Sequence, residues 1–445
     1  MTSRPPEDTD SGPSEPNPQR PGIFFTEGMF DSLENRDFRF LWVGNLGAQF
    51  AMQMQMVARG WLIYAMTNSP LMLTWTLLSF ALPSFLFSLF GGVIADRLQK
   101  KRVMMVAQGL NFVATLVMAT IVITGHVEFM HFIYFGLFNG TVLSLSMPSR
   151  QSVIPEIVGE SALFNAMALA TASMNLSRVL GPAMAGGIIA LVAQGDTSSQ
   201  FGVGVVYYLI AVLYLVSVLT LAMMHYKGNS VMLGKRGVFS DIREGFGYMW
   251  DSPLIRGLLL MSFVPMLFGM PIQFLMPAFN KDVLGGGPEE LGLLMAANGV
   301  GALLGSLVLA RLGELQHKGY WLLGISMVWA VFMALFSLTE RVPVALVAVA
   351  IVGLFSSMYM AMNMSLVQLA VDQNMRGRVN SILMMSFGLM PIGVIPVGWI
   401  AEHHGIDTAL AISAGLLALV TILLGLLNPA IRKINRGYKG ERETS

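Results

Sequence analysis

The chain has 445 residues, 54% hydrophobic and 12% charged, with a formal net charge of +1 and a mean hydropathy of +0.64. A soluble domain carries about 25% charged residues, so this composition indicates a polytopic helical membrane protein. The near-zero charge offers no basic surface for nucleic acid, and the absence of cysteine excludes disulfides and thiolate metal sites.

In chain order, Met1 to Gly22 is rich in Pro, Ser and acids and has no apolar period, so residues 1–36 are expected to form a disordered tail. The first apolar run comes too late, and is too long, for a cleaved signal peptide. A first helix is predicted from Phe38 to Met66. Asn45, Gln49, Gln53 and Arg59 share one half of its circumference, and a polar stripe on a spanning helix faces either a cavity or a hydrogen-bonding neighbour helix. Arg59 also reads as a side chain that snorkels to the far interface.

The second apolar run ends in Gly91 to Arg102, GGVIADRLQKKR. Gly91 and Gly92 permit close helix approach, and Arg97, Lys100, Lys101 and Arg102 mark the cytoplasmic face by the positive-inside rule. Asp96 is placed to bond an arginine or to cap a helix N-terminus. A solvated turn that only fixes orientation fits the same residues. A third helix is predicted from Val103 to Thr124 and a fourth from Met130 to Ser149, carrying Asn139 and closing on a loop with Pro148, Arg150 and Pro155. Arg150 reads either as a partner for Asp96 or as an orientation anchor.

A fifth helix, Ala162 to Val192, carries Asn175, Arg178, Gly181-Pro182 and Gly186-Gly187. The Gly-Pro step bends it, and Gly181, Pro182, Gly186 and Gly187 offer a flat packing face. Arg178 lies deep enough to need a polar partner, water or an anionic or carbonyl-rich ligand. After a sixth helix, Val203 to His225, the linker 226–253 holds basic residues and an amphipathic stretch near Phe239 to Trp250. The second half repeats the first in degenerate form: Gly305 and Arg311 stand where Gly91 and Arg97 do, with Ala310 in place of Asp96. Its seventh helix, Leu254 to Phe279, contains Pro265, Pro271 and Pro277 and is expected to kink; Gln273 is its main polar residue. On the tenth, Ser356, Tyr359 and Asn363 share a face. Residues 429–445 form a basic tail.

The pattern on Gly92, Asp96, Arg97, Lys100 and Lys101 resembles the loop between helices 2 and 3 of the major facilitator superfamily, G-x-x-x-D-R-x-G-R-R/K, with Gln99 where the family usually has glycine. Arg178, Gly181, Pro182, Gly186 and Gly187 resemble the helix 5 signature R-x-x-G-P-x-x-x-G-G of bacterial exporters. With the P-x-R-Q-x-x-x-P run at Pro148, they resemble the branch of siderophore exporters and macrolide efflux pumps. The run at Arg376 resembles the family's R-G-R-V motif.

The resemblance implies an all-α membrane protein with twelve transmembrane helices in two pseudo-symmetric six-helix bundles, 37–225 and 254–428, that open alternately to each side. It implies an inner-membrane location, both termini in the cytoplasm, a monomer amid membrane lipids, and efflux of a small-molecule substrate with protons as coupling ion. Gly92, Asp96, Arg97, Lys101, Arg150 and Arg376 would form a cytoplasmic latch. Gln49, Gln53, Arg59, Asn139, Asn175, Arg178, Gln273, Tyr359 and Asn363 would belong to the substrate cavity. No acid falls near the middle of a predicted span, so proton coupling rests on the resemblance alone.

No cofactor is expected, and no nucleophile–base, paired-carboxylate or phosphate-loop constellation suggests an enzyme. Among the 34 methionines, Met52/Met56, Met266/Met270 and Met360/Met364 stand at i, i+4, a spacing that could present thioethers to Cu(I) but that packing and an adaptable apolar cavity explain better. Copper or lipid transport, and a non-transporting receptor, are the alternatives to export.

Overall fold

A computed structural model describes residues 31–193, 200–226, 228, 247–248, 250, 252–312, 315–372, 375, 379, 383, 387–432 and 434; the side chains of 31, 88–97, 151, 161 and 387 are outside that description. Among the described residues the regular structure is entirely helical. The long segments are α1 (Arg36–Thr67), α2 (Pro70–Arg97), α3 (Lys100–Ile123), α4 (Phe129–Glu160), α5 (Ala162–Ala193), α6 (Gln200–Met223), α7 (Pro253–Asp282), α8 (Pro288–Leu312), α9 (Lys318–Ser337), α10 (Val342–Ala370), α11 (Met390–His404) and α12 (Ile406–Leu427).

Ten of these are long and apolar enough to cross a membrane. The others are α1 and α11, for identifiable reasons. The 32 residues of α1 carry Arg36, Asp37, Arg39, Asn45, Gln49, Gln53, Gln55 and Arg59, which lower its hydropathy, and the described part of α11 has 15 residues. Trp75, Leu86, Val113 and Leu191 are among many large apolar side chains left exposed, as a surface facing hydrocarbon requires.

Capping explains where the first helix begins and ends. The Asn35 side chain accepts from the Asp37 and Phe38 amides at the start of α1. Asn68 ends it in the left-handed conformation at φ 47°, its amide donating to the Tyr64 carbonyl. The fourth predicted helix was expected to stop at Ser149, but α4 runs on through Pro148 and Pro155 to Glu160. The break comes at Gly159, whose φ of 69° a residue with a Cβ rarely adopts. Arg150 and Glu156 therefore stand on a helix rather than a loop. In α7 the expected kink takes the form of a π-turn over Pro265–Gly269, where the Met270 amide reaches back to the Pro265 carbonyl at 2.9 Å.

Helix pairs pack closely where glycine meets backbone carbonyl. Gly136 and Gly140 of α4 face Ser79 and Phe80 of α2; Gly301, Gly305 and Gly353 lock α8 to α10; Gly44 and Gly47 bring α1 against α6. Three seams join α1–α6 to α7–α12. Gly186 of α5 lies against the Pro288 carbonyl and Gly292 of α8, Gly398 of α11 meets Thr74 of α2, and Gly60 of α1 faces the Pro277 ring of α7. Two ends of the molecule follow from these contacts. The starts of α1 and α3 meet the ends of α4 and α6 on what we call the tail side, and the ends of α1, α7 and α11 meet on the far side.

The glycine seams are testable one residue at a time. A Cβ at Gly186 would strike backbone, whereas one at Gly187 meets nothing within 4 Å. Gly186→Ala is expected to lower the thermal midpoint of the purified protein by several degrees, an overpacking cost of about 1–3 kcal/mol. Gly187→Ala is expected to leave it unchanged or raise it, since alanine suits a helix interior better than glycine.

Candidate functional site

Midway along the seam between α5 and α8, a small cavity of about 10 Å³, room for a single water, is lined by Gln53 of α1, Arg178 and Pro182 of α5, Gln273 and Met276 of α7, and Met295 and Asn298 of α8. At 1.5 Å per residue the polar residues Gln53, Arg178, Gln273 and Asn298 lie roughly 14–22 Å from the far ends of their helices, a level near the bilayer centre. Local sequence places each of them. Gly181 lacks the side chain that would collide with Cβ of Gln53, so α1 comes close enough to set Gln53 one turn from Arg178. Gly299 does the same for α8, where an added Cβ would lie 2.9 Å from the Arg178 carbonyl, and this brings Asn298 alongside.

The polar groups of this cavity are largely free to engage a ligand. Among the described residues the Arg178 guanidinium has no hydrogen-bond or ionic partner, and no lining residue is an acid. Gln273 makes only a weak contact, its amide 3.9 Å from the Met56 sulfur, and Asn298 donates to the Val349 carbonyl at 3.4 Å. A cation surrounded by carboxamides and thioethers can hold an anionic or carbonyl oxygen, but it cannot exchange a proton.

Other residues expected in the cavity are placed differently. Tyr359 is fully buried and donates to the Met261 carbonyl at 2.6 Å, and Asn363 donates to Ser262 Oγ at 2.6 Å; both join α10 to α7 inside the protein. Arg59 stands near the buried Tyr207 of α6, whose hydroxyl has no hydrogen-bond partner among the described residues. Gln49 is half-buried, its carbonyl oxygen likewise without a partner among the described residues. Asn139 and Asn175 are half-buried on α4 and α5. Met52 is exposed while Met56 is in reach of Gln273, and Met266 is buried, so these methionines serve unlike surroundings. No group of three His, Asp or Glu side chains among the described residues could hold a metal ion.

The far side is held by a polar clasp that sequence reading did not single out. The Tyr64 hydroxyl donates to Asp282, and Lys281 donates to the Asn68 side chain at 2.7 Å with its ammonium 5.6 Å over the Tyr64 ring. Glu402 of α11 accepts from Ser69 Oγ at 2.7 Å and the Leu71 amide at 3.3 Å, so it caps the N-terminus of α2. The signal available in sequence was slight: two acids at helix ends, and Asn-Ser-Pro at a helix junction.

The tail side holds a second polar network within α1–α6. Lys100 pairs with Glu156, which also accepts from the Tyr226 hydroxyl. Partial burial, and then this hydrogen bond, raises the Tyr226 hydroxyl well above its ordinary range, so it remains a donor. Asp37 accepts from the His225 and Tyr226 amides, each at 2.8 Å. Lys101 donates to the Ala222 and Met224 carbonyls at the end of α6, and Arg150 to Asn45 Oδ1 at 2.9 Å. Of the expected latch, Lys101 and Arg150 thus bind partners in their own half. The side chains of Asp96 and Arg97 and the whole of Arg376 lie outside the description, and Gly92 is described only as backbone within α2.

Residues 27–436 match the family described as transmembrane secretion effector. The chain is 22% identical to the staphyloferrin A transporter of Staphylococcus aureus, over 79% of this chain and 86% of that protein. It is 24% identical to the multidrug efflux pump Tap of Mycolicibacterium fortuitum, over 86% and 93%. Among solved structures, a bacterial homologue of the iron transporter ferroportin in its inward-facing state superposes with a TM-score of 0.71 at 16% identity, over 88% of this chain and 98% of that one. The protein is an integral membrane protein and belongs to the transmembrane secretion effector family of the major facilitator superfamily.

Proposed function

We propose that this protein is a secondary active exporter of amphipathic small molecules that works by alternating access, with protons as the coupling ion. In this reading α1–α12 are twelve spans in two six-helix bundles, 37–225 and 254–428, joined by a cytoplasmic linker, 226–253. The tails 1–36 and 429–445 are cytoplasmic, so the tail side faces the cytoplasm, and the protein acts as a monomer. The observation that carries the proposal is the cavity around Arg178. It lies between the two sets of helices, at mid-depth, beneath a clasp that closes one end. The name of the Tap relative, an efflux pump, supports the outward direction.

The clasp and the latch would then alternate. Hydrogen bonds to charged groups contribute about 1.5–3 kcal/mol each, so a few of them bias a two-state equilibrium without freezing it. On the tail side, Asp96 with Gly92, Arg97 and Arg376 would join the halves when the far side opens. Lys101 and Arg150 would stiffen the first bundle against which that latch works. The cavity residues Gln53, Arg178 and Gln273 would meet substrate in turn from each side, and Gln49, Asn139 and Asn175 would join them as the cavity widens.

Efflux of a fluorescent amphipathic dye from proteoliposomes, with and without an imposed pH gradient, tests the reading. Gradient-dependent efflux is expected for the wild type, with loss of most of the rate in Asp96→Asn and in Arg178→Ala. Efflux indifferent to the gradient would remove proton coupling, and no efflux of any dye in a broad panel would remove export.

The clasp is testable separately, because the chain contains no cysteine of its own. A Gln53→Cys protein should react slowly with a membrane-impermeant maleimide added from the far side. Adding Asp282→Asn and Glu402→Gln should raise that rate several-fold by shifting the population toward far-side opening. An unchanged rate would show that the clasp does not govern access.

A further inference from the structure

We infer that the cavity at Arg178, which here has room for about one water and widens as the halves part, is a carboxylate site: it takes an amphipathic molecule through a single planar carboxylate head, with the apolar body against methionine and proline. This rests on the reading that the cavity is the substrate site, and it names the chemical class that the site selects.

Charge makes the first part of the argument. A guanidinium at mid-depth in a membrane protein is costly unless paired or hydrated. Here the lining supplies one cation, three carboxamides from Gln53, Gln273 and Asn298, and no acid. Among the described residues nothing neutralises Arg178; water can solvate it, but only an anion cancels its charge. The deficit is one charge, which one carboxylate satisfies. A phosphate monoester carries about −1.5 to −2 at neutral pH and would be left with excess charge in a low-dielectric gap.

Geometry makes the second part. The guanidinium is a rigid planar fork that matches the two oxygens of a carboxylate with two parallel hydrogen bonds. It is presented from the middle of α5, where Gly181 and Gly299 draw α1 and α8 in on either side, so it projects from a packed element rather than a loop. The carboxamides have both donors and acceptors and suit hydroxyl or carbonyl groups beside the head. Met276, Met295 and Pro182 form the apolar remainder, and thioethers adapt to bodies of varied shape. The site is therefore strict about the head group and permissive about what it is attached to.

The test is binding by the purified full-length protein, which needs no transport to read. Matched pairs of carboxylate and primary amide, from benzoate and benzamide through naphthoate to pyrenebutyrate, are titrated calorimetrically. Wild type is expected to bind the acids at least tenfold more tightly than their amides. Arg178→Gln should abolish that preference while keeping the amide affinity, and Arg178→Lys, which keeps charge without the fork, should retain part of it. If Arg178→Gln does not fold, the narrowed preference of Arg178→Lys carries the test. Equal affinity for acid and amide in the wild type, a preference that survives Arg178→Gln, or an absence of binding by every acid would each overturn the inference. Acid preference without dye efflux would leave the site standing and remove the export reading. Efflux of neutral dyes without acid preference would do the reverse.

Discussion

The close approach of α5 and α8, glycine against carbonyl, is the contact on which the rest of the molecule depends. Gly186 and Gly292 bring the two backbones together near the far side, and Gly299 keeps them together down to the level of Arg178. Side chains at these positions would wedge the helices apart and open a cleft with no defined walls. With glycine there, the cavity is narrow, and one guanidinium dominates its electrostatics. The spacing between the two sets of helices is thus set by atoms the chain lacks, and the chemistry by the single charge left between them.

Much of this was legible in the sequence, where physics leaves a local trace. Apolar runs set the spans, the Gly-Pro and Gly-Gly steps of α5 marked a packing helix, and Arg178 stood out as a charge deep enough to need a polar partner, water or a ligand. The proline cluster of α7 announced a distortion, though not that it would be a π-turn. Gly186 and Gly187 looked equivalent, yet only Gly186 meets backbone, because which face of a helix is covered depends on a partner far away in sequence. The same limit hid Tyr359 and Asn363. Their periodicity put them on one polar face, but a carbonyl and a hydroxyl on α7 claim both.

The clasp was the least legible feature, and the reason is instructive. Tyr64, Asn68, Lys281, Asp282 and Glu402 are ordinary residues for helix ends, and each alone reads as a solvated terminus. Their meaning arises only because helix ends from three stretches of sequence, each more than a hundred residues from the next, converge on one side. On the tail side, the ties of Asp37, Lys100, Lys101, Arg150 and Glu156 all close within α1–α6, so they make that half a firm body without joining it to the other.

Glu402 has one further implication. It belongs to α11 but completes the hydrogen bonding of α2, so the first turn of α2 is whole only while the halves touch. When they separate, Ser69 and the Leu71 amide must find another acceptor, and water entering the gap supplies one. Each bond of the clasp is of a kind that a water molecule can replace in turn. In the proposed alternating-access cycle, parting the far side would thus begin as wetting, hydration replacing the clasp bonds one by one, beside the dry glycine contacts at Gly60 and Gly186 that must also be given up.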